Sequence, residues 1–110
     1  MALKATARGC LWLALSSSLA LAGAYPDDLP LSEYLRALAQ ITPAARDGAQ
    51  AYLRAFQENC GRPMRTGQLR QAVAEGSGEP ILMAMIRAAH DQDKDALRSL
   101  SARVPCGGKP

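Results

Sequence analysis

The chain has 110 residues, 13 Lys and Arg against 10 Asp and Glu, one His, three Cys and one Trp, with a formal net charge of +3. That length sets an upper bound of one ordinary domain, and so small an excess of positive charge excludes a polycation that holds nucleic acid through a general basic field.

The first segment carries Lys4 and Arg8 ahead of an apolar run over residues 10–22, CLWLALSSSLALA. The run is short and broken by serines, which fits the h-region of a secretory signal peptide better than a membrane span. Small residues then stand at Ala22-Gly23-Ala24, the spacing read by a signal peptidase, and predict cleavage between Ala24 and Tyr25, with Ala20-Leu21-Ala22 as a second site. Cys10 precedes the apolar run rather than following it, so it does not mark a lipoprotein. An uncleaved anchor would need a longer apolar stretch. The expected product is a periplasmic or secreted single domain over residues 25–110, touching the membrane only through its signal peptide.

Cleavage changes the chemistry of what remains. Past residue 24 the chain has 2 Lys and 9 Arg against 6 Asp and 4 Glu, a net charge of +1, and Trp12 and Cys10 are gone. Two thiols are left, Cys60 and Cys106, and an even count in a small exported domain reads as a disulfide. Closing that loop is expected to stabilise the domain by about 4 kcal/mol in the chain-entropy model. Two thiols and a single histidine do not make a four-ligand zinc site.

Residues 25–30, YPDDLP, form an extended lead-in. Leu31, Tyr34, Leu35 and Leu38 recur at steps of three and four and predict a first helix over residues 31–40. Thr42-Pro43 supplies a capping oxygen and a proline at the first helical position, and Ala45, Ala49, Tyr52, Leu53, Phe56 and Cys60 trace the apolar stripe of a second helix that Gly61 ends. Residues 62–65, RPMR, read as a loop. Thr66 is then expected to cap a short third helix with Leu69, Ala72 and Val73 facing inward, and Gly76-Ser77-Gly78 to form a flexible joint.

Pro80 opens a fourth helix whose residues 81–89, ILMAMIRAA, are apolar almost all round, the pattern of a helix in the middle of a bundle. Residues 91–95 break it or cap its successor. Ala96, Leu97, Leu100 and Val104 mark a final helix that Pro105 ends. No segment alternates as a half-buried strand does, so the expected fold is all-α, a four- to five-helix bundle closed by one disulfide. Helices three to five then form the closed loop, and the first helix is held by packing alone. That freedom leaves exchange between two copies, and hence a homodimer, as an alternative to simple packing on the bundle.

Catalytic chemistry finds little support. His90 has no second histidine to relay a proton, and none of Ser32, Ser77, Ser99 and Ser101 sits in a Gly-x-Ser-x-Gly elbow. Asp91, Asp93 and Asp95 share the spacing of a calcium loop, but Ala96 replaces the turn glycine and Ala102 the bidentate glutamate, so helix capping accounts for them better. Met64, Met83, Met85 and His90 could suggest copper(I), yet residues two apart on a helix do not face each other and methionine in an apolar helix normally fills a core. No cofactor and no enzymatic activity are expected. Arg54, Arg62, Arg65 and Arg70 crowd the junction of the second and third helices with only Glu58 nearby, a candidate partner-binding face for a carboxylate-bearing protein, the alternative being solvated side chains.

The run Cys60-Gly61-Arg62-Pro63-Met64-Arg65-Thr66-Gly67-Gln68-Leu69, followed by Val73 and closing at Pro105-Cys106, resembles the C-terminal half of the type VI secretion amidase immunity proteins of the Rap/Tai kind. The resemblance spans about half of the residues after 24, with Tyr52-Leu53-Arg54 in a similar place. It implies a small helical periplasmic fold, similar in build to acid-stress chaperones of the HdeA type, in which the cysteine before a proline loop pairs with the C-terminal one and a Gly-Gln-Leu step opens the next helix. It also implies an inhibitor of a cell-wall amidase. The expected function is therefore an exported, non-enzymatic protein-interaction module, an inhibitor or immunity protein for a cell-wall-acting partner. The alternative is a periplasmic structural or stress-protective protein that opens at low pH to expose apolar surface.

Overall fold

A computed structural model describes residues 29–107, and the segment expected to be a signal peptide, its expected cleavage site at Ala24 and Tyr25, and most of the lead-in lie outside them. Five helices follow one another: α1 Leu31–Ile41, α2 Pro43–Cys60, α3 Thr66–Ala74, α4 Pro80–His90 and α5 Lys94–Ser101. No strand occurs among the described residues. The all-α bundle closed by one disulfide is the fold.

The longest helix, α2, organises the rest. Thr42 Oγ1 accepts the Ala44 amide at 2.9 Å, Pro43 takes the first helical position, and Gly61 ends the helix in the left-handed region at φ 76°. A side chain at Gly61 would meet nothing within 4 Å, so the glycine is there for its backbone angle and not for space. Tyr52, Phe56, Ala49 and Ala55 of α2 face inward against Leu82 and Met85 of α4. α2 and α4 form the most extensive helix pair, α1 covers α2, and α5 lies against both.

Gly48 sets how closely that central pair approaches. A Cβ built there would stand 2.5 Å from Ile86 Cα and 2.8 Å from Ile86 N, inside the backbone of α4. α4 itself buries only Leu82, Met85 and Ala88 fully, while Ile81, Met83 and Ile86 are half-buried against the core. It is the middle helix, but a domain this small has too few neighbours to cover an apolar helix on every side.

Three boundaries differ from expectation. Thr66 is the first residue of α3 rather than its cap; Arg65 precedes the helix, and the Gln68 side chain reaches back to accept the Arg65 amide at 2.9 Å. The segment at Gly76-Ser77-Gly78 is a hydrogen-bonded turn, in which the Gly78 amide donates to Glu75 O and the Glu79 amide to Ala72 O, each at 2.7 Å. The final helix stops at Ser101, short of Val104 and Pro105, and Val104 is buried from the tail beyond it. Asp93 caps this helix by accepting the Ala96 amide at 3.0 Å.

Pro105 explains the early stop: it disfavours a helical Val104 and has no amide hydrogen for the Ser101 carbonyl four residues before it. The Asn59 side-chain amide takes up that carbonyl instead, donating to Ser101 O at 3.0 Å and to Val104 O at 3.2 Å. The tail then runs to Cys106, bonded to Cys60 with a Cα separation of 5.5 Å. Replacing Asn59 by Ala is expected to cost about 1.5 kcal/mol, the loss of two partly solvated hydrogen bonds. Urea denaturation checks this, and an unchanged midpoint would show that the clip contributes nothing.

Candidate functional site

Two open grooves flank α3. The first, of about 830 Å³, runs between Leu29, Pro30 and Leu31 on one side and the Met64 to Gln71 stretch on the other. The second, of about 530 Å³, lies between α3, the Tyr52 and Glu79 pair, and the tail at Pro105 and Gly107. Met64, Gln68 and Gln71 line both and form the ridge between them. The ridge is anchored by Met64 and Leu69, both buried in the core.

The floor of the second groove is built on Tyr52. Its ring is almost wholly buried and its hydroxyl hydrogen bonds to the Glu79 carboxylate, whose Oε1 also accepts the Leu82 amide at 2.9 Å and so caps α4. Burial first, then the Glu79 charge and that hydrogen bond, hold the Tyr52 phenol well above the usual tyrosine value of 10. The pair ties α2 to the start of α4 directly beneath the groove.

A raised phenol value in the folded state makes the protonated form part of the fold. This stability is complete below pH 10 and is lost as the pH rises above it, because only the unfolded chain can then release the proton freely. Tyr34 is shifted the same way by burial, which outweighs the opposing charge of Arg70. Stability measured by urea denaturation between pH 8 and 11 should therefore fall steeply above pH 10. Tyr52→Phe should lower stability by about 1.5 kcal/mol at pH 8, the loss of one hydrogen bond to a charged group, and flatten the alkaline slope. An alkaline slope that the substitution leaves intact would place its origin elsewhere.

The four arginines singled out from the sequence have different surroundings. Arg62 lies over the Phe56 ring, 5.2 Å from its centroid, and donates to Cys106 O at 3.2 Å, so it closes the core and holds the tail. It also lines the second groove. Arg65 is exposed at the lip of the first groove. Arg54 is exposed on α2, and Arg70 is half-buried on α3 with its charge felt by Tyr34; neither lines a groove.

The remaining candidates have structural partners. Met85 is fully buried, Met64 nearly so and Met83 half-buried, all in the core, whereas His90 is exposed beside Asp91 at 3.6 Å. Asp95 pairs with Arg98 at 3.4 Å. Among the described residues no three His, Cys, Asp or Glu side chains converge on a point that could hold a metal, and no helix is long and apolar enough to cross a membrane.

Arg62 and Arg65 stand out in the sequence, and Gln68 does so through the Gly-Gln-Leu step, whereas Gln71 and Glu79, which complete the groove walls, do not. A glutamine such as Gln71 on an exposed helix face carries no signal in the sequence; only the turn at residues 75–79 brings Glu79 back toward Tyr52. No family model, curated protein or solved structure matches the chain significantly.

Proposed function

We propose that this chain is an exported, non-enzymatic protein-interaction module that inhibits a cell-wall-acting partner by covering it. The observation that carries the reading is the pair of open grooves on either side of α3, with walls that mix the apolar Met64, the amides of Gln68 and Gln71 and the guanidinium of Arg65. Such a mixture of apolar contact, adaptable hydrogen bonding and arginine is what protein interfaces use. The disulfide and the Asn59 and Arg62 contacts fix the loop and tail that frame these grooves, so little ordering is left to be done on binding. A disulfide between the chain's last two cysteines also supports an oxidising compartment, in keeping with export.

Directing the product of the adjacent reading frame to the periplasm tests this. Growth arrest when that product is made alone, relieved by co-expression of this chain and accompanied by a complex on size exclusion, is the expected result. Arrest that co-expression leaves unrelieved, or an adjacent product with no effect on growth, counts against inhibition. Reversible binding of an apolar dye on acidification would favour the stress-protective reading instead.

A further inference from the structure

The tail beyond α5 changes character at Val104. Up to that residue it is anchored without any covalent help: Asn59 donates to Ser101 O and Val104 O, the Arg103 and Val104 amides donate to Leu100 O and Ser101 O, and the Val104 side chain is buried. Past it, Pro105, Cys106 and Gly107 are all exposed. Pro105 has no amide hydrogen, and among the described residues the Cys106 and Gly107 amides donate to no backbone carbonyl. Their holds there are the exposed hydrogen bond from Arg62 to Cys106 O, at 3.2 Å, and the Cys60–Cys106 bond. Pro105 and Gly107 nevertheless form the tail-side wall of the second groove, whereas no tail residue lines the first.

One exposed hydrogen bond is worth less than the conformational freedom that three residues recover on release. We infer that the second groove is redox-dependent: it is walled on the tail side while Cys60 and Cys106 are bonded, and it loses that wall on reduction while the five helices and Val104 stay in place. Its consequence for binding rests on the interaction-module reading above: a partner that needs the second groove is bound only by the oxidised chain.

Cys106 is exposed and Cys60 half-buried, so a dithiol reductant meets Cys106 first. Its thiolate attacks Cys106 Sγ, the S–S bond breaks, and Cys60 Sγ leaves with the electron pair and takes up a proton. The second thiol of the reductant loses its proton and attacks the reductant's own sulfur in the mixed disulfide, and Cys106 Sγ leaves and is protonated in turn. The chain gains two electrons and two protons, and the dithiol ends as a disulfide.

Backbone order parameters of the ¹⁵N-labelled protein recovered after export, with and without dithiothreitol, test this. The Cys106 amide should fall from about 0.85 in the oxidised protein to below about 0.6 in the reduced one, while Val104 stays at about 0.85 in both. Removal of the dithiol and reoxidation should restore the first value, and Cys60→Ser combined with Cys106→Ser should reproduce the second without reductant. The Gln71 and Glu75 amides beside the second groove should shift on reduction, and those of Arg65 and Gly67 at the first should not.

A Cys106 amide that stays ordered on reduction would overturn the inference. So would loss of order at Val104 and through the helices together, since the groove then disappears with the whole fold. Arg62→Gln is the control for the remaining hold: loosening of Cys106 in the oxidised variant to the level of the reduced parent would assign the wall to Arg62 and not to the disulfide. No partner is needed for these measurements, so their failure leaves the growth assay as a separate test of inhibition.

Discussion

Gly48→Ala is expected to lower the stability of the domain by about 3 kcal/mol, at the upper end of what overpacking a core by one methyl group does. In a domain of this size that corresponds to a fall in Tm of roughly 12–24 °C. An alanine in a helix interior ordinarily gains up to about 1 kcal/mol over glycine, so the sign is set wholly by the neighbour. That neighbour is backbone: the new Cβ would lie 2.5 Å from Ile86 Cα and 2.8 Å from Ile86 N. The Ile86 side chain is also close, at 2.8 Å from Cγ1, and could swing away, but the backbone of α4 cannot move without separating Leu82 and Met85 from Tyr52 and Phe56.

Truncating the neighbour separates these two sources of strain. If the side chain were responsible, Ile86→Ala would rescue Gly48→Ala; with Cα and N in the way, the double variant should melt no higher than the single one. Gly61→Ala provides the contrast, since it meets open space and carries only the penalty of a left-handed φ of 76°, about 1 kcal/mol. Thermal melts followed by circular dichroism decide the matter. A Gly48→Ala protein that melts within a few degrees of the parent would mean that the two helices do not approach this closely.

Gly48 also shows what can be read from this sequence and what cannot. The ends of α2 were legible because their causes are local: a threonine and proline at one end, a glycine at the other, all within two residues of the boundary. The Cys60 and Cys106 pairing was legible because only two thiols lie past residue 24. A glycine inside a helix is ambiguous by itself, and the reason for this one lies 38 positions away at Ile86. The hold on the end of α5 has the same character, since its donor, Asn59, comes from α2. Arg62 reads from the sequence as part of a partner-binding face or as a solvated side chain, and only the fold puts the ring of Phe56 beneath it. The groove around α3 was legible only in part for that reason: its loop arginines stood out in composition, whereas the burial of Thr66 and the position of Glu79 are products of tertiary packing.

Loss of the disulfide, by Cys60→Ser with Cys106→Ser or by reduction, should cost about 4 kcal/mol for a sequence separation of 46 residues. Most of that arises in the unfolded chain, because the folded tail keeps other holds: Asn59 on Ser101 and Val104, Arg62 on Cys106 O, and the buried Val104 side chain. The reduced protein should accordingly retain its helical content while its denaturation midpoint falls. A reduced protein that loses helix outright without denaturant would show that the bond holds the native packing and does more than restrict the unfolded state. Gly48 and Cys60 stand twelve positions apart on one helix, roughly 18 Å by helical rise, and contact different neighbours, so their effects should add. About 7 kcal/mol together exceeds the lower end of what a domain of this length holds at roughly 0.05–0.15 kcal/mol per residue and removes about half of the upper end. Gly48→Ala combined with loss of both cysteines should therefore melt well below either single change, by about the sum of their separate effects.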